Sequence, residues 1–313
     1  MKKIAMLLAL MLALLPLGAL AEAVQAAGPV DDTPQNELAG YVIILHTGDI
    51  LGEAEEHMGF SRVAEAKKRF EAEGASVLVL DAGNAFVAPK DETEPEAGGT
   101  AQPEETAQPE DTAAPEETAA PSVPDETNAA IARAMKAAGY DAMTPGDAEF
   151  ALGLETLSAL RTRAGFPLLS VNAQNEEGAR LLTGSVITEK DGLRIGVFGL
   201  TGALEIEGVT VADPVEAAQA AVDTLRGEGC DLVIALARLG VNEDGVAVAR
   251  LVAEQAEGLN AVIDITAGAP AKGLWLENGA LVASAPEKLE GIGVVAIDPT
   301  GRCAAMTMDE SWF

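Results

Sequence analysis

Tyr41-Val42-Ile43-Ile44-Leu45-His46-Thr47-Gly48-Asp49-Ile50-Leu51-Gly52 is the stretch on which the fold turns. Its first half is an apolar run with the length of a buried strand, and its second half is a loop carrying glycine and aspartate. The same order returns along the chain. Residues 76–80 lead into Asp81-Ala82-Gly83-Asn84, and residues 140–143 into Pro145-Gly146-Asp147-Ala148-Glu149-Phe150. Residues 231–236 lead into Ala237-Arg238-Leu239-Gly240, and residues 261–265 into Thr266-Ala267-Gly268. Helical periodicity fills the intervals at 60–73, 128–138, 154–164, 214–226 (behind the cap residue Asp213) and 245–256. A strand is expected at 166–171, a hairpin at 185–189 and 193–200 over Asp191-Gly192, and three strands in the tail at 281–285, 294–297 and 304–308. Strands separated by helices predict an α/β fold of layered, sandwich type, with mixed sheets flanked by helices. Chemistry in such sheets collects on the loops past the strand C-termini, so the polar loops should converge on one cleft.

Composition removes several function classes. The chain of 313 residues carries 50 acidic and 20 basic side chains, a formal charge of −30, so a nucleic-acid partner is not expected, because phosphate binding needs Lys/Arg patches. Two Cys exclude a disulfide-dense scaffold, and two His leave almost nothing for a His-rich metal centre. Without a His base no Ser or Cys triad can be assembled.

Lys2-Lys3, the apolar run 4–20 and Ala19-Leu20-Ala21 read as a signal peptide over 1–21, with an uncleaved membrane anchor as the alternative; cleavage is expected to leave a secreted or cell-envelope protein with no membrane span. Cys230 and Cys303 then sit where a disulfide can persist, and sequence leaves open whether they pair or remain separate thiols. Residues 22–40 are a small, polar, flexible leader. Residues 91–126 repeat T-A-[QA]-P-E-[ED] from Thr100, Thr106 and Thr112 and hold 12 Asp/Glu with no Lys, Arg or aromatic residue. Such a segment buries too little to offset its ordering entropy, so a disordered acidic insertion is expected, and it could act as an envelope spacer. Segments 41–90 and 127–313 are then one domain.

The loops quoted above resemble the catalytic domain of the 5′-nucleotidase family within the calcineurin-like metallophosphoesterases. Leu45-His46-Thr47-Gly48-Asp49-Ile50-Leu51-Gly52 is similar to the family's L-H-T-N-D-x-H-G, and Leu80-Asp81-Ala82-Gly83-Asn84 to L-D-A-G-D. Gly139-Tyr140-Asp141-Ala142-Met143-Thr144-Pro145-Gly146-Asp147-Ala148-Glu149-Phe150 is similar to G-Y-D-A-x-x-x-G-N-H-E-F. Residues 166–172 and 191–201 extend the likeness, which covers roughly 41–300.

The resemblance implies a pair of divalent metals on Asp, His and Asn ligands, activating water for phosphoester hydrolysis. This chain departs from that set. Asp49 is the only retained family ligand. Leu51, Asn84, Asp147, Arg238, Thr266 and Gly268 stand at changed ligand positions, and Ala148 stands where a His would assist the leaving group. His46 matches a non-ligand position, and His57 lies in the following loop. Hydrocarbon donates no lone pair and a guanidinium has no acceptor. The expectation is therefore no bound metal, no catalytic residue, and a remnant cluster of Asp49, Asn84, Asp147, Arg238 and Thr266. In it Arg238 would stand between Asp49 and Asp147 in place of the metal charge. A binding or scaffolding role follows, with a small anionic ligand such as a nucleotide or sugar phosphate at Arg238 and no protein partner specified. Two alternatives stay open: an active phosphoesterase with atypical ligands, and a single hard cation on Asp49, Asn84 and Asp147.

Overall fold

The computed structural model describes residues 37–53, 58–87, 125–190, 192–267 and 272–313. The expected signal peptide, the leader up to residue 36, the insertion from 91 to 124, His57, Asp191 and Gly268 lie outside the described residues.

Two sheets stack face to face. The first has the order β13 (Cys303–Met308), β12 (Ile292–Ile297), β1 (Val42–Thr47), β2 (Ser76–Asp81) and β3 (Ala142–Met143). The second runs β10 (Leu274–Trp275), β11 (Leu281–Ala283), β9 (Ala261–Asp264), β8 (Leu232–Arg238), β6 (Leu193–Thr201) and β5 (Ser185–Lys190). β4 (Ala173–Gln174) and β7 (Thr210–Val211) pair separately. β1, β2 and β3 are mutually parallel, as are β6, β8, β9 and β11, while β12, β13, β5 and β10 run antiparallel to their neighbours. The sheets are therefore mixed, as the strand–helix alternation implied.

Period-2 alternation explains why the central strands are apolar throughout. In β1, Val42 and Ile44 enter the core between the sheets, and Ile43 and Leu45 face the helices. In β8, Leu232, Ile234 and Leu236 enter the same inter-sheet core, and Val233, Ala235 and Ala237 pack outward. All six residues of β1 are buried, and each Ile or Leu withdrawn from water contributes roughly 1.5–3 kcal/mol.

Helices α1 (Gly59–Ala72), α2 (Glu126–Ala138), α3 (Asp147–Ala151) and α4 (Leu154–Ala164) cover the first sheet, and α5 (Pro214–Gly227) and α6 (Val248–Gln255) the second. α1 presents Phe60, Val63, Ala66 and Phe70 on one stripe to the core. Asp213 accepts hydrogen bonds from Val215 N and Glu216 N and caps α5, with Pro214 in its first turn.

Several boundaries differ from the sequence expectation. α2 begins at Glu126 with Asp125 as its cap, accepting from Asn128 N at 2.7 Å, so the last two residues assigned to the acidic insertion belong to a helix. The end of the leader is also structured: Leu38 is buried and its N–H reaches Glu73 O at 3.1 Å. Residues 166–171 form no regular strand. Leu169 N bonds Met143 O at 2.8 Å, Ser170 N bonds Thr183 O at 2.8 Å, and Val171 N bonds Gly199 O at 2.9 Å. The segment passes from one sheet to the other and shares its bonds between them, so no ladder forms. Cys230 and Cys303 are both buried free thiols, and burial pushes Cys303 up to about 12.

Candidate functional site

The site lies where strands of both sheets end. Its rear wall consists of two laced loops. Asp49 N donates to Gly83 O and Leu51 N to Asn84 O, each at 2.8 Å, so the loop after β1 is stitched to the loop after β2. Asp49, Leu51 and Asn84 all adopt left-handed backbone, at φ 47°, 52° and 55°. For non-glycine residues this costs on the order of 1 kcal/mol each and persists only where the surroundings impose it. Gly83 and Gly146 let the third loop approach. A Cβ on Gly83 would lie 2.8 Å from Thr144 O, and one on Gly146 would lie 2.2 Å from Asn84 Oδ1.

Glu149, on α3, holds this wall from behind. It is fully buried, and its two oxygens accept from Gly146 N (2.7 Å), Asn84 N (2.8 Å) and Phe86 N (2.9 Å). Burial raises its carboxyl above the usual range against the pull of those three N–H groups. Asp81, at the end of β2, accepts from Thr47 Oγ1 at 2.6 Å and Gly83 N at 2.9 Å. Burial pushes it up to about 7, against those hydrogen bonds and with a further push from Glu149 and Asp49. Both residues therefore frame the loops without reaching the cleft.

Asp49, Asn84, Asp147 and Arg238 come together in front. Arg238 Nη1 donates to Asp49 Oδ2 at 2.7 Å, and Nη2 lies 3.6 Å from Asp147 Oδ1. Asn84 Nδ2 donates to the same Asp147 oxygen at 2.9 Å, and Asn84 Oδ1 accepts from Ala148 N at 3.0 Å. The Asp49 and Arg238 side chains are 12% and 17% exposed, whereas that of Asp147 is 72% exposed. Desolvation pushes Asp147 upward, but hydrogen bonds from Asn84 and Arg238 and the Arg238 charge outweigh it and hold the carboxyl below its ordinary value. Asp49 Oδ1 is buried and meets no hydrogen-bond donor among the described residues.

Thr266 lines the same cleft as Asp147 and Arg238. Its hydroxyl donates to Asp264 Oδ1 at 2.5 Å and accepts from Gly240 N at 2.8 Å. Asp264 also accepts from Leu239 N at 3.1 Å, and so ties the loops after β8 and β9 together. Burial raises Asp264 to about 6, opposed by the Thr266 and Leu239 hydrogen bonds and the Arg238 charge. An open cleft of about 320 Å³ lies before Asp147, Arg238 and Thr266 and is bordered by Thr201, Leu204 and Val241. The loop after β6, which supplies Leu204, carries no Gly-Asp signature like those of the loops after β1 and β3. It too follows a strand C-terminus, so the rule that marked the other loops also covers it. His46 stays out of the site. Its ring lies over Gly293, where any Cβ would fall 2.1 Å from Cε1, and burial lowers it to about 3.

These oxygen donors do not fit a pair of divalent cations. Asp49 Oδ2 is occupied by a guanidinium, and both ends of the Asn84 amide are engaged. Among the described residues no three His, Cys, Asp or Glu side chains are placed to hold a metal ion together.

The fold is that of the calcineurin-like metallophosphoesterases. It superposes on the calcineurin-like phosphoesterase YfkN of Bacillus subtilis with a TM-score of 0.61 at 20% identity, covering 86% of this chain and 90% of that one. It superposes on a 5′-nucleotidase precursor from Thermus thermophilus with a TM-score of 0.62 at 20% identity, covering 86% and 54%. Homologues of this chain include proteins named 5′-nucleotidase, a trifunctional nucleotide phosphoesterase and UshA. It is 37% identical over 123 residues to a 5′-nucleotidase of Vibrio cholerae, and 30% identical over 148 residues to the trifunctional nucleotide phosphoesterase protein YfkN of Bacillus subtilis. Those stretches are 36% and 42% of this chain but only 22% and 10% of the relatives, so the likeness covers part of a catalytic domain. No family model matches the chain.

Proposed function

We propose that this chain is an extracytoplasmic protein of metallophosphoesterase fold that binds or scaffolds and does not hydrolyse phosphate esters. The observation that carries the reading is the position of Arg238, 2.7 Å from Asp49 and 3.6 Å from Asp147. A dinuclear centre needs a bridging carboxylate so that two cations can sit about 3.5–4 Å apart. Asn84 is neutral, and a fixed guanidinium repels divalent metal from the same space. The secretory reading is supported by Lys2-Lys3 and the apolar run up to Leu20. No described helix is long and apolar enough to cross a membrane.

The ligand chemistry follows from the charge balance. Arg238 faces two carboxylates, and Asp147 is exposed at the cleft. A nucleotide or sugar phosphate approaching Arg238 therefore meets Asp147 as well, and phosphate affinity in the wild-type protein is low. The test is metal content of the purified full chain, with hydrolysis of a generic phosphate monoester in added Mn²⁺ or Zn²⁺. Substoichiometric metal and no turnover are expected. Two ions per chain with turnover would establish the other reading, an active phosphoesterase with atypical ligands, which the names of its relatives favour.

A further inference from the structure

We propose that a second cavity, outside the strand-end cleft, binds a free α-amino acid with a small aliphatic side chain, its carboxylate on Arg180 and its ammonium on Glu216. The cavity measures about 340 Å³ and lies between α5, the start of β5 and the segment that follows β4. That volume is at the low end for small-molecule pockets, roughly 300–1,000 Å³. It shares no lining residue with the cleft at Arg238, so it stands independently of the functional reading above.

The positive arm is aimed by a tight turn. Asn175 Oδ1 accepts from Glu177 N at 3.1 Å and Ala179 N at 2.8 Å, and Asn175 N donates to Ala179 O at 2.9 Å. The turn reverses the chain, so that Arg180 bridges back to Gln174 in β4. The Arg180 guanidinium then lies over the bare backbone of Gly184, where a Cβ would fall 2.4 Å from Nη1 and 3.0 Å from Cζ. Gly184 is itself held, its carbonyl accepting from Gly199 N at 3.2 Å. Glycine thus makes room for a charge that meets no carboxylate: the Arg180 side chain forms no ion pair or hydrogen bond among the described residues. In a chain with 50 acidic and 20 basic side chains, geometry and not scarcity of carboxylates leaves it free.

The negative arm comes from the opposite wall. Asp213 is committed to capping α5, its Oδ1 accepting from Val215 N and Glu216 N, each at 2.9 Å. The Glu216 carboxylate lines the same cavity and has no partner among the described residues. Between the two arms α5 presents Ala217, Ala220 and Ala221, spaced three and four residues apart and so on one face. Their methyl groups leave apolar room that longer side chains would fill. A cation and an anion that face one cavity without closing on each other fit a ligand that carries both charges. A carboxylate suits the guanidinium fork, and an ammonium suits Glu216. Asp213 and Glu216 together repel a phosphate dianion, and the lining has no aromatic ring on which a nucleobase would stack.

The experiment uses the full chain, with L-valine as probe and its two half-molecules, 3-methylbutanoate and isobutylamine, for comparison. Titration calorimetry and thermal unfolding are the readouts. L-Valine should bind the wild type with a Kd below about 1 mM and raise its Tm. Each half-molecule should bind at least about tenfold more weakly, because it leaves one arm of the cavity unpaired. Arg180→Met and Glu216→Gln change exposed side chains, so both variants should fold. Each should weaken L-valine binding at least about tenfold. A wild-type Kd for L-valine above about 1 mM would overturn the proposal. So would unchanged affinity in either variant. Equal affinity for L-valine and 3-methylbutanoate would overturn it too, by showing a plain anion site, and this comparison needs no variant.

Discussion

The loops from the first sheet and those from the second make opposite contributions to one cleft. After β1, β2 and β3 the chain presents oxygen and amide groups: Asp49 and Asn84 on left-handed, mutually hydrogen-bonded loops, and Asp147 at the start of α3. After β8 and β9 it presents a cation and a hydroxyl, Arg238 and Thr266, and that hydroxyl is already engaged by Asp264 and Gly240. The first half keeps a geometry suited to gathering positive charge, and the second half supplies that charge from within the polypeptide. Scaffold and chemistry can therefore diverge. The backbone network is anchored by buried groups such as Glu149, whereas a side chain at a strand end can change without disturbing it.

The comparison can be broken most severely at its anchor. Glu149→Ala leaves Gly146, Asn84 and Phe86 N–H groups without their acceptor, and should cost about 3–5 kcal/mol, read as a lower urea midpoint. An unchanged midpoint would mean that the first-sheet loops do not depend on Glu149.

Next in size is the pH response of the buried carboxyls. Asp81 and Asp264 are raised to about 7 and about 6 from 3.8. The folded protein then holds protons that the unfolded chain releases, so their contribution to stability is full below about pH 4 and is lost as pH rises through 6 to 7. The expected change is of order a few kcal/mol. Asp81→Asn should flatten the upper part of the stability–pH curve, and an unaltered slope would sink the assignment.

The smallest effect sharpens the contrast instead. Asp147 is mostly exposed, so Asp147→Asn should change stability by less than about 1 kcal/mol. It removes one of the two carboxylates facing Arg238, and inorganic phosphate should then bind measurably more tightly than to wild type in a low-salt titration. Equal affinity would show that Arg238 is neutralised by Asp49 alone.

Local pattern disclosed much of this molecule. The buried strands at 42–47, 76–81 and 232–238 follow from uninterrupted apolar runs, and α5 from Asp213-Pro214. The five-residue helix α3 was not legible, because its signal is a Gly146 cap and the backward reach of Glu149, within a stretch that also reads as a loop. The segment 166–171 has strand composition but divides its bonds between two sheets, and no local window contains that information.

By itself, the sequence determined the layered α/β class and the polar loops that follow its strands, since both depend on residue type and spacing. Only the tertiary structure decided that Arg238 closes on Asp49, that Asn84 is engaged at both ends, that the Thr266 hydroxyl at the cleft wall is held by Asp264, and that Asp49 Oδ1 is buried without a donor among the described residues. Those outcomes depend on contacts between residues as far as 189 positions apart. Only the stacking of two sheets brings such distant loops within hydrogen-bond reach.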